Sequence, residues 1–310
     1  MTTRGSMTRR PRIGRTLATW GAALALVATA ACSAGDGEGD AADAAPEPPA
    51  SYVALGDSFT AAPFVPNLVE ADGCYRSTAN YPALVATELG VADFTDVSCS
   101  AADTTHMASP QRTATGGRAP AQFEALTEET ELVTLGIGGN DFNVFGTLVE
   151  ECPAVRPRAP RGAPCRTQLN RRSGDGDPLL SSLERTERRV QRVVEQIRER
   201  SPQARVLVVN YPHIVPAEGT CAALPLARGD YAYAREVATR LDAALRSVVE
   251  ATDAELVDLW AASEGHDICS DDPWVNGRQT DFSAALEYHP FAAGQRAAAD
   301  LVLEVLRGED

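Results

Sequence analysis

The chain has 310 residues, 44% of them hydrophobic and 23% charged, a globular composition that excludes a fibrous or wholly disordered protein. Its formal net charge is −15, and an acid excess of that size argues against nucleic acid as a partner. The five arginines of residues 1–31 cancel the five acids of residues 32–50, so the remainder carries the same −15.

Arg4, Arg9, Arg10, Arg12 and Arg15 precede an uncharged stretch from Thr16 to Ala31. Positive charge followed by a short apolar run and small residues is the layout of an export signal, and the run is short for a membrane span. Two processing sites are open. Ala30-Ala31-Cys32 resembles a bacterial lipoprotein site, at which Cys32 becomes the lipidated N-terminus; cleavage after Ala30, at Ala28-x-Ala30, leaves Cys32 a spare thiol. Residues 32–50 are mainly Ala, Gly, Pro, Asp and Glu and read as a disordered acidic tether, so the folded domain is expected over 51–310. With lipidation, the product is a surface protein attached to a membrane through Cys32; without it, a secreted one.

The first buried strand is expected at Ser51–Leu55, stopped by Gly56-Asp57. Tyr81–Leu89 reads as a helix closed by Gly90. Further strands are expected at Phe94–Val97, Leu132–Ile137, Val206–Val209 and Leu256–Leu259. Residues 146–180, rich in Pro, Gly and Arg, read as a long excursion pinned by a disulfide. Amphipathic helices follow at Leu183–Arg200 and Tyr231–Ala251, and a last helix starts at Pro290 and runs to about Leu306. Strands alternating with helices predict one α/β domain, its parallel sheet covered on both faces.

In such a sheet, ligands bind beyond the carboxyl ends of the strands. That rule selects Gly56-Asp57-Ser58, Ser98-Cys99-Ser100, Gly138-Gly139-Asn140 and Asn210-Tyr211-Pro212. Ser58 sits in a tight turn that can present a hydroxyl, although most serines after Gly-Asp are turn formers or caps. Asn140 offers an amide donor to a developing oxyanion, beside glycines that let the backbone approach a ligand. His289 opens the last helix and has a pKa suited to moving a proton near neutrality. Six cysteines besides Cys32 suggest disulfides in an exported chain, with 15 pairings open, and no C-x-x-C pair suggests zinc.

The blocks around Ser58, at Ser98-Cys99-Ser100-Ala101-Ala102, at Gly138-Gly139-Asn140-Asp141 and at His289-Pro290-Phe291-Ala292-Ala293-Gly294 stand in order. Together they resemble the SGNH hydrolases, or GDSL esterases and lipases, most closely the secreted actinomycete enzymes. The resemblance implies a flavodoxin-like three-layer α/β/α sandwich, no metal and no organic cofactor. It implies Ser58 as nucleophile, His289 as base, and an oxyanion hole made by the N–H groups of Ser58 and Ala101 with the Asn140 side chain. It also implies the disulfides Cys74–Cys99, Cys152–Cys165 and Cys221–Cys269. The family usually has Gly at the position of Ala101 and often Asp at that of Leu286.

The sequence therefore predicts a Ser58–His289 dyad, with the Leu286 main-chain carbonyl orienting the imidazole and Asp281 and Glu287 as competing partners. The expected activity is carboxylic ester hydrolysis through an acyl-serine, on a small-molecule or lipid ester, by a monomer. Glycan O-acetyl ester or phospholipid cleavage at the same site is the alternative. A non-catalytic surface-binding lipoprotein is the alternative of another class. Phe59, Phe64, Phe142, Phe145 and Tyr288 flank the blocks and suggest an apolar acyl pocket.

Overall fold

The computed structural model describes residues 48–69, 73–173 and 176–308. The expected export signal, nearly all of the tether and Cys32 lie outside these residues. Five strands form one parallel sheet: β1 (Ser51–Gly56), β2 (Asp93–Asp96), β3 (Leu132–Gly136), β4 (Arg205–Val209) and β5 (Glu255–Val257). Their spatial order is β2-β1-β3-β4-β5, with Val53 paired to both Thr95 and Val133. The chain order thus reverses between β1 and β3, and that switch point is where a ligand crevice opens in this class of sheet.

Alternation along the strands divides the core in two. Val53, Leu55, Val133, Leu135, Val206 and Val208 face a cluster with α4 (Pro178–Arg200) and α5 (Asp230–Ala251). Tyr52, Ala54, Leu132, Leu207 and Val209 face the other, with α2 (Tyr81–Leu89) and α6 (Ala292–Arg307). The helices present matching stripes, such as Leu183, Val190, Val194 and Ile197 of α4, all fully or nearly buried. Burying each such side chain contributes about 1.5–3 kcal/mol. The result is the expected flavodoxin-like three-layer sandwich. Among the described residues no helix is long and apolar enough to cross a membrane.

Two expected elements are corrected. The excursion over residues 146–180 is largely helical: an α turn at Val144–Gly146, a π turn at Thr147–Glu151, an α turn at Cys152–Val155, and α3 (Pro164–Ser173). Its prolines do not break helices, because Pro153, Pro164 and Pro178 stand in first turns, where no helical N–H bond is lost. The fifth strand stops at Val257 rather than Leu259. The Asp258 side chain accepts from the N–H of Ala261 and caps a short helix, Leu259–Ala262.

Three disulfides join Cys74 to Cys99, Cys152 to Cys165 and Cys221 to Cys269, the pairing implied by the family resemblance. The first ties the loop after β2 to the segment after α1 (Ser58–Ala61), close to the carboxyl end of the sheet.

Candidate active site

Strand β1 runs directly into α1, and Asp57 is the hinge between them. Its Oδ1 accepts from the Phe59 N–H at 2.9 Å, so Ser58 becomes the first residue of a helix just beyond the strand end. Gly56 is required by close approach. A Cβ there would stand 2.2 Å from Thr60 Oγ1 and 2.9 Å from the Gly136 carbonyl. The Gln122 side chain holds both backbone groups of Gly56, each at 2.8 Å.

Ser58 Oγ lies 2.7 Å from His289 Nε2, although the two residues are 231 apart in sequence. The other ring nitrogen, Nδ1, lies 2.6 Å from the main-chain carbonyl of Glu287. A carbonyl oxygen can only accept, so Nδ1 carries the proton and Nε2 is left to accept from the serine hydroxyl. Burial pulls the His289 pKa below its ordinary 6.5, and the Glu287 carbonyl and carboxylate oppose that pull without overcoming it. The imidazole is therefore neutral at neutral pH.

The orienting carbonyl belongs to Glu287 and not to Leu286, which corrects the sequence reading. Tyr288 adopts a left-handed backbone, with φ of +60°, and this turns the Glu287 carbonyl towards the ring. The Leu286 carbonyl is used elsewhere: it accepts from the His289 backbone N–H at 3.2 Å and from Asn276 Nδ2 at 3.1 Å. Asp281 is likewise engaged in its own turn, where it accepts from the N–H and the hydroxyl of Ser283.

Ala101 and Asn140 line the same cavity as Ser58 and His289, a space of about 570 Å³. Ala101 has φ of +64°, a left-handed conformation that glycine takes more easily. Asn140 does not cap the turn that follows it. One N–H of its amide donates to the Ala102 carbonyl at 2.9 Å, which sets the plane of the group. Phe59, Phe145, Val149, Ile214, Leu286 and Tyr288 supply apolar lining, and the π turn at Thr147–Glu151 contributes Val149. Phe142 is not part of that lining. Its ring lies under the guanidinium groups of Arg185 and Arg189, at 3.8 and 4.2 Å.

Two buried networks behind these residues escaped the sequence reading. In the first, Tyr211 Oη donates to Asp57 Oδ2 at 2.5 Å and accepts from the Gly139 N–H at 2.8 Å. One hydroxyl thus joins the turn bearing Ser58 to the loop bearing Asn140. Burial raises the Asp57 pKa to about 7, against the pull of the Tyr211 and Phe59 donors. In the second, Asp141 is fully buried and accepts from the Thr104 N–H at 3.0 Å, the Thr104 hydroxyl at 2.6 Å and Arg189 Nη1 at 2.9 Å. It locks the Asn140 loop to the loop carrying Ala101. In the sequence Tyr211 stands only as part of a strand end and Asp141 only as the last residue of the Gly138-Gly139-Asn140-Asp141 block, and nothing pairs either with its partner.

The sequence profile of the GDSL-like Lipase/Acylhydrolase family matches residues 54–297. Lipase 2 of Streptomyces coelicolor is 36% identical over 292 residues, covering 92% of this chain and 95% of that one. The crystal structure of phospholipase A1 from Streptomyces albidoflavus superposes with a TM-score of 0.65 at 28% identity, covering 84% of this chain and 99% of that one. The extracellular lipase of Streptomyces rimosus shares the fold, with a TM-score of 0.67 at 24% identity, over 82% and 98% of the two chains. The protein is a carboxylic ester hydrolase and belongs to the GDSL-like lipase/acylhydrolase family.

Proposed function

We propose that the protein is an exported esterase or lipase that works through an acyl-Ser58 intermediate. The observation that carries the reading is the 2.7 Å contact between Ser58 Oγ and a His289 ring whose tautomer is set by a main-chain carbonyl. His289 Nε2 takes the hydroxyl proton as Ser58 Oγ attacks the ester carbonyl. The negative charge that develops on the carbonyl oxygen is met by the N–H groups of Ser58 and Ala101 and by the Asn140 amide, a donor of this kind contributing about 3 kcal/mol. His289 returns the proton to the leaving alcohol, then activates water to release the acid.

The neutral Glu287 carbonyl supports the imidazolium less strongly than a carboxylate would, and no aspartate stands in its place. The site is a dyad held by the backbone. Export is supported by the arginine-then-apolar N-terminus and by the similarity to an extracellular lipase. Cys32 is the point at which a lipid would hold the mature chain at a membrane surface.

A second substrate reading, a phospholipid ester, is favoured by Arg112 and Arg278, whose guanidinium side chains belong to residues lining the cavity, and by the likeness to a phospholipase A1. Release of p-nitrophenol from short-chain esters tests the main reading. Ser58→Ala should keep its fold by circular dichroism and lose more than about 1000-fold in kcat. A variant with near wild-type turnover would remove Ser58 as the nucleophile. Fatty-acid release from phosphatidylcholine compared with triacylglycerol separates the two substrate readings.

A further inference from the structure

We infer that the acyl site does not end at the cavity wall but continues over the surface along three aromatic rings, Tyr75, Phe64 and Phe282, which form a track for the distal part of a long acyl chain. The inference rests on the acyl-serine reading above and deepens it by naming the substrate class as long-chain esters.

Among the described residues only Val69 and Phe282 are large apolar side chains left exposed, and Phe282 is 77% exposed. Such exposure calls for a use when it is continuous with a binding site. Here it is continuous. Tyr75 lines the catalytic cavity. Its ring centroid lies 5.7 Å from that of Phe64, and Phe64 packs edge-on against Phe282 at 5.0 Å. The segment before Phe64 also touches the histidine loop, where the Leu286 N–H donates to the Pro63 carbonyl at 3.0 Å. The track therefore begins in the cavity that holds His289 and ends in solvent.

The exposed ring is held by a built turn. Asp281 and Ala285 exchange both backbone hydrogen bonds, at 2.9 Å each, and Asp281 Oδ1 accepts from the Ser283 N–H and hydroxyl. Phe64 and Tyr75 both adopt left-handed backbones, with φ of +65° and +56°, a conformation unfavourable for bulky residues. Strain of this kind persists where the surrounding structure enforces it, and it clusters at binding sites. In the two rings it has a common result, a continuous apolar strip leading out of the cavity.

The test is a series of p-nitrophenyl esters, acetate, octanoate and dodecanoate, each kept below its aggregation concentration, with wild type, Phe282→Ser and Phe282→Trp. The quantity read is the kcat/KM ratio of dodecanoate to acetate. In Phe282→Ser it should fall about tenfold, the loss of contact with nearly two methylenes. Phe282→Trp should restore it. An unchanged ratio in Phe282→Ser overturns the track. A ratio that falls only with emulsified ester or vesicles also overturns it, by assigning Phe282 to docking on a lipid surface. A wild type inactive on every ester would instead refute the functional reading itself.

Discussion

The two halves of the site are held by different means. The serine half is anchored by side chains: buried Asp57 and Tyr211 behind Ser58 and Gly139, and buried Asp141 with half-buried Arg189 behind Asn140. The histidine half is held mainly by the backbone, with the Asn276 amide donating to the carbonyls of Gln279, Ala285 and Leu286. The Tyr288 N–H donates to the Gly277 carbonyl, the Asn276 N–H to the His289 carbonyl, and the His289 ring to the Glu287 carbonyl. Point substitutions can remove a side-chain network, whereas main-chain bonds survive most of them. The serine half is accordingly expected to be the more fragile, and the orientation of the His289 ring is expected to survive changes at Asp281 and Glu287, where only main-chain groups hold it.

After the loss of Ser58 itself, the largest effect is expected from Asn140→Ala, which should lower kcat about 100- to 1000-fold with little change in KM, read from steady-state kinetics on a soluble ester. A change confined to KM would make Asn140 a substrate-positioning group.

Tyr211→Phe should come next. It leaves the Gly139 N–H without its acceptor and Asp57 Oδ2 without its donor, both buried, for a loss of about 2–3 kcal/mol in denaturant unfolding. It should also lower kcat, since it unties Ser58 from the Asn140 loop. Asp57→Asn sharpens the same point through pH. The Asp57 pKa is raised in the folded state from 3.8 to about 7, so its contribution to stability is full below pH 4 and is lost as the pH rises through 7. The melting temperature of Asp57→Asn relative to wild type should therefore rise steadily between pH 4 and 7. A constant difference across that range would mean that Asp57 does not titrate there.

Asp281→Asn and Glu287→Gln probe the histidine half and should change plateau turnover by less than about threefold, since neither removes the carbonyl bond to the ring. The acid limb of kcat/KM should have its midpoint below 6.5, because burial lowers the His289 pKa. Glu287→Gln removes a negative charge that raises that pKa, so its acid limb should move to still lower pH. A loss of several hundredfold in either variant would reveal a side-chain triad. The smallest effect belongs to Ala101→Gly. Relief of the left-handed alanine exceeds the entropic cost of glycine by about 0.5 kcal/mol, a rise of about 1–2 °C in melting temperature.

Much of this was legible in the sequence because the signals were local. Short apolar runs marked the strands, Ser58, Ala101 and Asn140 stood in ordered blocks beyond their ends, and His289 stood in a last block at the start of a helix. The structure brings those four to one cavity. What was not legible depended on distance. Asp57 meets Tyr211 across 154 residues, and Asp141 meets Arg189 across 48, with no periodicity linking either pair. The orienting carbonyl was misplaced by one residue because its choice depends on the left-handed turn at Tyr288, which an aromatic residue does not advertise. Residues 146–180 were misread because prolines at helix starts look, in composition, like prolines in loops.

The disulfides span 25, 13 and 48 residues and never cross, whereas Ser58 and His289 are 231 apart. A chain emerging N-terminus first can close every staple before its histidine has appeared. Covalent maturation and the gain of activity are therefore separable events. A product truncated just before Tyr288 would retain every cysteine of the three pairs, and could be fully oxidised while lacking His289, the proposed base. Loss of free thiol would then report nothing about activity, and the first appearance of ester turnover would time the docking of the C-terminal segment.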